Sequence, residues 1–283
     1  MIGIISQDNI SQVGHSLFNN FRLALTNYLQ PDFKDILSVE DLLDIQVLFI
    51  VDEHYIPHKN IWLNDTFIDC LNSRNIKTVI FNFEKIFDSQ FPWNETIQQG
   101  VEKIKNRIQL VSDVKDAKRL NLPFINKQFL SKDTCLPSSK SNKEDTIVFI
   151  GQINEFYPTR GNILNEIKNS NNKVNIIKTD RKYSYEEFID IVNSSKFILN
   201  PLGTGEFINL RFYEALKLGC IVIQQYTDDM VDWYDELKNE NVLLFKDVND
   251  FNNLDLNIDY LENNLYLEDY FLQINLKKII NEI

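Results

Sequence analysis

The chain has 283 residues, 43% hydrophobic and 12% aromatic, which is enough for one large globular domain or two ordinary ones. Its 41 acidic and 29 basic residues give a net charge of −12, which argues against duplex nucleic acid as a partner and against a polybasic membrane anchor. The three cysteines lie far apart and the three histidines form no cluster, so neither a disulfide framework nor a zinc site is predicted.

The N-terminal segment lacks the features of a secretion signal. It has no basic residues and reaches Asp8 before an apolar stretch of sufficient length has formed. No apolar run in the chain approaches the ~18–20 residues that a membrane-spanning helix needs. We therefore expect a soluble, cytoplasmic protein without a transmembrane segment.

The first half alternates short apolar runs with amphipathic segments. The apolar runs predict strands over 2–5, 47–51, 78–83 and 108–111. The amphipathic segments predict helices over 15–30, 61–74 and 95–106. Continuous apolar strands that alternate with helices predict a parallel sheet covered on both faces.

A polar segment without periodicity follows at 131–145. It is rich in serine and lysine, and it predicts a linker between two domains. The alternative is a long surface loop within a single domain.

The alternating pattern resumes after this segment. Strands are predicted over 146–151, 174–178, 197–201, 220–225 and 241–245. Helices are predicted near 160–170 and over 183–195, 207–218 and 227–239. The polar segment 249–264 is interpreted as a solvated connection, and the tail 258–283 as an amphipathic helix that packs back on the first domain.

The fold class that this pattern predicts is α/β, with two Rossmann-like, doubly wound domains that face a central cleft. The predicted domains are 1–135 and 146–257, followed by the helix 258–283.

The segment after the predicted strand 197–201 has the properties of an anion site. Ligands of open α/β sheets bind beyond the carboxyl ends of the strands, where Pro201, Gly203, Thr204 and Gly205 lie. Glycine permits positive φ and close backbone approach. A helix that begins near residue 207 would point its free amides at this loop, which suits a phosphate or diphosphate. Gly219 is predicted to end that helix.

Two glutamates flank the start of this helix. Carboxylates such as Glu206 and Glu214 suit the hydroxyls of a sugar or a ribose, because they accept hydrogen bonds from vicinal diols. Arg211 could orient Glu214 or contact phosphate oxygens. The alternative is an ordinary surface pair between Glu214 and Arg211 or Lys217.

These residues resemble the E-x7-E segment of the GT-B glycosyltransferases. The resemblance is carried by the segment GEFINLRFYEALKLGCIVI (205–223) and is closer to the exostosin-type and group 1 transferases, because SSKFILNPLG precedes it. A second segment, VFIGQINEFYPTRGNIL (148–164), is similar to the first strand and loop of the family's donor domain. The similarity spans roughly 146–235, and in the first half it is architectural only.

The resemblance implies transfer of a sugar from a UDP- or GDP-type nucleoside-diphosphate sugar to a glycan, lipid-linked or protein acceptor. It implies no essential metal and no other cofactor. Glu206 would meet the sugar hydroxyls as a catalytic residue, and Glu214 the ribose. The other implied donor-binding residues are Gly151, Gln152, Arg160, Pro201, Gly203, Thr204, Gly205, Asn209, Leu210 and Arg211.

The chain departs from the family pattern in three places, one of which is the absence of the proline that is usual just before Val222 and Ile223. Gln152 stands where an arginine that binds the diphosphate is common, so Arg160 and Arg211 must supply more of the positive charge. Phe207, Ile208 and Asn209 replace the usual Gly-Phe-Gly.

The acceptor is expected on the first domain, where an inverting enzyme needs a base. His15 is the leading candidate, and Asp8 and the segment 52–54 are rivals. Two other functions stay open, namely a catalytically degenerate partner subunit that binds nucleotide sugars and a nucleotide-sugar epimerase of the same fold. The sequence does not decide the donor, the stereochemistry or the oligomeric state.

Overall fold

A computed structural model describes ten ranges of the chain. They are residues 1–6, 33–51, 64–82, 85–87, 93–125, 136–155, 157–170, 174–178, 183–203 and 205–261. The described residues form two compact units, which we call unit 1 (up to Ile125) and unit 2 (136–261). The predicted α/β class is confirmed, because each unit holds a five-stranded, all-parallel sheet flanked by helices. The facing arrangement of two GT-B domains stays a prediction.

Unit 1 contains every strand that the sequence predicts for the first half, and one more. Its strands are β1 Ile2–Ser6, β2 Phe33–Asp35, β3 Val47–Val51, β4 Lys77–Asn82 and β5 Arg107–Val111. Its described α-helices are α1 Asp65–Ser73, α2 Trp93–Glu102 and α3 Val114–Leu120. The strand order is β2-β1-β3-β4-β5, so the unpredicted β2 is a three-residue edge strand.

Unit 2 repeats this architecture. Its strands are β6 Glu144–Gly151, β7 Val174–Lys178, β8 Ser195–Asn200, β9 Ile221–Gln225 and β10 Val242–Phe245. Its described α-helices are α4 Pro158–Ser170, α5 Tyr185–Ser194, α6 Leu210–Lys217, α7 Asp228–Val231 and α8 Val248–Asn252. The strand order β10-β9-β8-β6-β7 is that of unit 1 when it is viewed from the other edge.

The strand order of unit 2 reverses direction between β6 and β8. From β6 the chain crosses to β7 on one side, and it then returns to β8 on the other side and continues to β9. In doubly wound sheets this switch point, at the carboxyl ends of the strands, is the common place for ligands. Here it is marked by Gly151, which ends β6, and Asn200, which ends β8.

An apolar core on one face of the second sheet fixes these strand ends. The core comprises Ile147, Phe149, Leu164, Ile167, Val174, Phe197, Leu199, Ile221, Ile223, Phe245 and Phe251, all of them buried. A fully buried side chain of this size stabilises the fold by about 1.5–3 kcal/mol, and the continuous apolar strands therefore fold as predicted.

Two predicted helices of unit 2 are wrong in extent. The helix predicted over 207–218 begins at Leu210, because Phe207 and Ile208 are buried in the preceding loop instead. The helix predicted over 227–239 is two separate pieces, α7 and the 3-10 helix Asp235–Lys238.

The interpretation of 249–264 as a solvated connection is also wrong for its described part. Its first residues belong to α8, and Leu254, Leu256, Ile258 and Tyr260 then pack in alternation against the core of unit 2. The side chain of Asn241 pairs with the backbone of Leu261 through both its oxygen (2.8 Å) and its nitrogen (2.9 Å). The predicted tail helix therefore does not include 258–261, and its other residues lie outside the described ranges.

The described part of the polar segment 131–145 is hydrogen-bonded to α5 of unit 2. The side-chain nitrogen of Asn193, on α5, donates to the carbonyl of Ser138 (3.0 Å), and its oxygen accepts from the amide of Lys140 (3.0 Å). β6 then begins at Glu144.

None of the helices in the described parts of the chain has both the length and the hydrophobicity that are needed to cross a bilayer.

Candidate anion-binding site

Two arginine side chains lie at the switch point of unit 2, each packed against a glycine. A Cβ atom built on Gly151 would lie 2.5 Å from Nη2 of Arg211, and one built on Gly203 would lie 2.5 Å from Nη2 of Arg160. The two glycines therefore make room for guanidinium groups. Gly203 does not use the positive φ that the sequence predicts for a ligand loop, since Gly219 is the glycine with positive φ among the described residues.

Arg160 is held by backbone carbonyls from two loops. It is the third residue of α4 and is 8% exposed. Its Nη1 donates to the carbonyl of Gln152 (3.3 Å) and its Nε to that of Leu202 (3.4 Å), while its guanidinium lies 4.4 Å from the ring centre of Tyr157. These two neutral carbonyls help to orient the guanidinium group.

Arg211, the second residue of α6, brings the other positive charge. Its Nη1 donates to Oδ1 of Asn200 (3.0 Å), and its guanidinium lies 5.1 Å from the ring centre of Phe149. Its buried Nε has no hydrogen-bond partner among the described residues. Burial and the nearby charge of Arg160 lower the pKa of Arg211 to about 9, against the attraction of Glu214, so the group stays protonated at neutral pH.

Asn200 is the centre of a polar network between β8, β9 and α6. It is 0% exposed, and its Oδ1 also accepts from Nδ2 of Asn209 (2.9 Å). Its own Nδ2 donates to Oε1 of Gln224 (2.6 Å), the residue beside it in register on β9. The Oδ1 of Asn209 is buried and accepts no hydrogen bond from the described residues. The network thus contains a buried donor atom, Nε of Arg211, and a buried acceptor atom, Oδ1 of Asn209, that have no hydrogen-bond partner among the described residues.

Glu214 lies one turn further along α6 and is 2% exposed. The hydroxyl of Tyr185, the first residue of α5, donates to its Oε1 (2.7 Å). Burial raises the pKa of Glu214 to about 7, although the hydrogen bond from Tyr185 and the charge of Arg211 lower it. Burial and the carboxyl group of Glu214 in turn raise the pKa of Tyr185. The alternative of an ordinary surface pair at Glu214 is therefore wrong.

The C-terminal end of α6 is fixed by Gly219, as the sequence predicts. Gly219 has φ +72°, and its amide donates to the carbonyl of Leu216 (3.0 Å), while the next amide, of Cys220, donates to that of Ala215 (2.9 Å). This pair of bonds is the Schellman motif, which requires a left-handed residue at that position. It fixes the helix that carries Arg211 and Glu214.

The structure brings together several of the residues that the sequence predicts for donor binding. Those in contact with one another or with the same polar network are Gly151, the backbone of Gln152, Arg160, Gly203, Asn209, Arg211 and Glu214. Pro201, Gly205 and Glu206 are buried residues of the loop between β8 and α6, and Leu210 begins the helix. The predicted residues Asp8, His15 and Thr204, and the segment 52–54, lie outside the described residues.

One feature predicted for the site is corrected by the structure. Gly203 and Gly205 do not lead directly into the helix, because α6 begins five residues after Gly205, with Asn209 as its N-cap. Two guanidinium groups, of Arg160 and Arg211, bring positive charge to the switch point.

Sequence reasoning missed Asn200 and Tyr185. A single polar residue that ends an apolar strand is a usable signal for Asn200, because strand ends line the ligand site. For Tyr185 the signal is its place directly after Ser184, which begins α5 with a capping box. The pairing of Tyr185 with Glu214, 29 residues away, depends on the tertiary structure.

The two guanidinium groups of the site suit an anionic ligand. Within the described ranges, no three histidine, cysteine, aspartate or glutamate side chains are placed to hold a metal. Arginine favours phosphate groups through paired, charge-assisted hydrogen bonds.

The chain was also compared with known proteins. No protein-family model matches it, and no curated protein matches it significantly.

Proposed function

We propose that the chain is a glycosyltransferase whose unit 2 binds a UDP- or GDP-type nucleoside-diphosphate sugar. The observation that carries the proposal is the pair of neighbouring guanidinium groups, of Arg160 and Arg211, at the switch point of unit 2. Sugar transfer releases a diphosphate whose negative charge grows as the anomeric bond breaks. Preorganised donors at that position stabilise the transition state by about 3–4 kcal/mol each.

The roles of the other residues follow from their chemistry. Tyr185 occupies Oε1 of Glu214, so Oε2 is the oxygen that accepts a hydroxyl of the ribose. Glu206 is assigned to the hydroxyls of the transferred sugar, and the unused oxygen of Asn209 is a further acceptor for a hydroxyl. In an inverting reaction the acceptor hydroxyl attacks the anomeric carbon and gives its proton to a base, for which His15 and Asp8 are the candidates.

The test is a panel of UDP-, GDP- and CMP-sugars, with binding measured by calorimetry and turnover by chromatography of the nucleotide products. We expect one donor to bind, and its nucleoside diphosphate to be released by transfer or slow hydrolysis. Arg211→Met should weaken binding about 10- to 100-fold, which corresponds to the loss of a charged hydrogen bond of about 1.5–3 kcal/mol. Lys140→Met is the matched control, because Lys140 is a surface residue of unit 2 that pairs with Asp190.

The outcomes separate the proposal from its rivals. Binding without turnover favours the degenerate partner subunit, and interconversion of two donors without an acceptor favours the epimerase. Failure of all donors to bind contradicts the proposal. Because the resemblance implies no metal, we expect turnover to be unchanged in excess EDTA.

A further inference from the structure

The acceptor that holds Arg211 is an uncharged amide. Asn200 lies at the end of β8, and its Oδ1 accepts from both Nη1 of Arg211 (3.0 Å) and Nδ2 of Asn209 (2.9 Å). Its orientation is fixed in turn, since its Nδ2 donates to Gln224 (2.6 Å). A side chain that is 0% exposed and bonded on both sides has no freedom to turn away.

A carboxylate would serve the same two donors better if stability were all that mattered. Charge-assisted pairs with arginine are roughly twice as strong as neutral hydrogen bonds, and they are often bidentate. Glu214 does not fill this role, since its Oε1 accepts from the hydroxyl of Tyr185, and the described contacts give Arg211 the neutral Oδ1 of Asn200 as its acceptor. Arg211 is therefore fixed in place by an uncharged group.

We infer that Asn200 is a positioning residue for diphosphate binding, which fixes the guanidinium of Arg211 without neutralising it. The inference rests on the proposed function, and it adds a residue that the resemblance does not supply. The Nε of Arg211, which has no hydrogen-bond partner among the described residues, is then one of the donors available to an oxygen of the diphosphate. The neutrality of Asn200, and not only its hydrogen bonds, is what the ligand requires.

Two variants of one residue separate neutrality from hydrogen bonding. Asn200→Asp has the same shape and still accepts from Arg211 and Asn209, but it adds a negative charge and loses the donor to Gln224. Asn200→Ala removes the acceptor and adds no charge. We expect the Asp variant to bind UDP or GDP more than about tenfold more weakly than the wild type, and the Ala variant only a few-fold more weakly. A purely structural role predicts that each variant loses the same affinity for the nucleoside diphosphate and for the uncharged nucleoside.

Two further readouts depend on charge and not on structure. The loss of affinity of the Asp variant relative to the wild type should become smaller as the salt concentration rises, because salt screens the repulsion between the added carboxylate and the nucleoside diphosphate. The affinity of the Asp variant for the corresponding uncharged nucleoside should equal that of the wild type.

A second variant keeps the test decisive if Asn200→Asp does not fold. Gln224→Glu places a carboxylate beyond Asn200 as seen from Arg211, where it can still accept from Nδ2 of Asn200, although it loses the bond that Nε2 of Gln224 donates to the carbonyl of Gln225. It should weaken UDP or GDP binding several-fold, whereas Gln224→Leu, which adds no charge, should weaken it less. Circular dichroism confirms that each variant is folded.

The inference and the proposed function fail in different ways. If the wild type binds neither UDP, GDP nor pyrophosphate, the proposed function is wrong and the inference falls with it. If the wild type binds, but neither Asn200→Asp nor Gln224→Glu binds more weakly than its uncharged counterpart, only the inference is overturned.

Discussion

The candidate site depends on two residues that have no side chain, Gly151 and Gly203. Each leaves the volume that an arginine guanidinium occupies, so a methyl group there would displace the charge. Gly203 lies beside only the far end of Arg160 and the ring of Tyr157, both of which can shift. Displacing a flexible side chain costs little stability, but the position of the charge changes.

Gly203→Ala is therefore expected to leave the free energy of unfolding within about 1 kcal/mol of the wild type. It should weaken nucleoside-diphosphate binding several-fold, because Arg160 moves away from the switch point. Urea unfolding and calorimetry measure the two quantities on the same protein.

Gly161→Ala is the matched control for this substitution. Gly161 is inside α4, and a Cβ there would lie 3.4 Å from Cγ2 of Ile153, at ordinary contact distance. Alanine in a helix interior is more favourable than glycine by about 1 kcal/mol, so this variant should be more stable and should bind normally. A stable Gly203→Ala protein with unchanged affinity would mean that Arg160 does not contact the ligand.

The pKa values of Glu214 and Arg211 predict a bell-shaped dependence of binding on pH. Glu214, with its pKa raised to about 7, accepts hydroxyls best when ionised, so affinity should fall as the pH drops below about 7. Arg211, with its pKa lowered to about 9, loses its charge above that pH, so affinity should fall again. Calorimetric titration of UDP or GDP from well below pH 7 to well above pH 9 measures both limbs.

Tyr185→Phe tests the acidic limb directly. The hydrogen bond from Tyr185 lowers the pKa of Glu214, so its removal should move the acidic limb to higher pH and leave the alkaline limb in place. Tyr183→Phe, two residues earlier, should move neither limb. An acidic limb at the same pH in all three proteins would show that Glu214 does not contact the ligand.

The role of a single residue can be predicted from the sequence where that role depends on its neighbours in the chain. Gly219 was identified because a helix that ends before a buried strand needs a left-handed residue. Glu214 and Arg211 were identified from their spacing, but their partners were not, because Tyr185 and Asn200 come from other elements. A hydrogen bond between distant elements leaves no periodic trace in the sequence.

Among the elements, α6 carries the two side chains on which the proposal depends, so its ends matter. At its C-terminal end Gly219 adopts φ +72° and lies against the hydroxyl of Ser139. An L-residue in this conformation costs about 1–2 kcal/mol, and the contact with Ser139 adds to the cost.

We therefore expect Gly219→Ala to lower the free energy of unfolding by at least about 1–2 kcal/mol. The double variant Ser139→Ala/Gly219→Ala should recover the part that comes from the contact but not the part that comes from φ. Chemical unfolding of the wild type, both single variants and the double variant separates the two terms. Equal losses in Gly219→Ala and in the double variant would show that the contact with Ser139 costs nothing.

The strands were easier to predict than the helices and connections. Buried parallel strands are continuous apolar runs, and all such runs in the described ranges fold as strands. The start of α6 was misplaced because Phe207 and Ile208 fit a helical period and yet are buried in the loop. The packed segment 254–260 does show an alternation of period two, which its polar composition concealed.

On the scale of the whole molecule, the two sheets have the same strand order, so each sheet has a switch point of its own. In unit 2 the switch point carries the arginine pair. In unit 1 the equivalent strands, β1 and β3, end at Ser6 and Val51. Asp8 and the segment 52–54 follow these strands in the sequence, which is where the acceptor and its base are predicted. The proposal thus assigns one reactant to each sheet.

The net charge of the chain makes a further prediction about association. The molecule carries −12, whereas the candidate site is positive only locally, through Arg160 and Arg211. At about 10 mM salt the Debye length is about 30 Å, so an approaching nucleotide anion is repelled by the whole protein. At about 150 mM the length is about 8 Å, and the anion responds mainly to the two guanidinium groups. The association rate constant should therefore rise with salt over this range, unlike that of an anion steered to a basic protein.

Stopped-flow measurement of UDP or GDP binding at several salt concentrations tests this expectation. The dissociation rate constant should rise only modestly, since partly buried charge pairs are screened less than exposed ones. The uncharged nucleoside serves as the control, because neither the field of the protein nor its screening acts on it, and its association rate should stay constant. An association rate for the nucleoside diphosphate that falls steadily from the lowest salt would mean that positive charge dominates the field well beyond the site. The acidic surface would then have no effect on how the donor reaches unit 2.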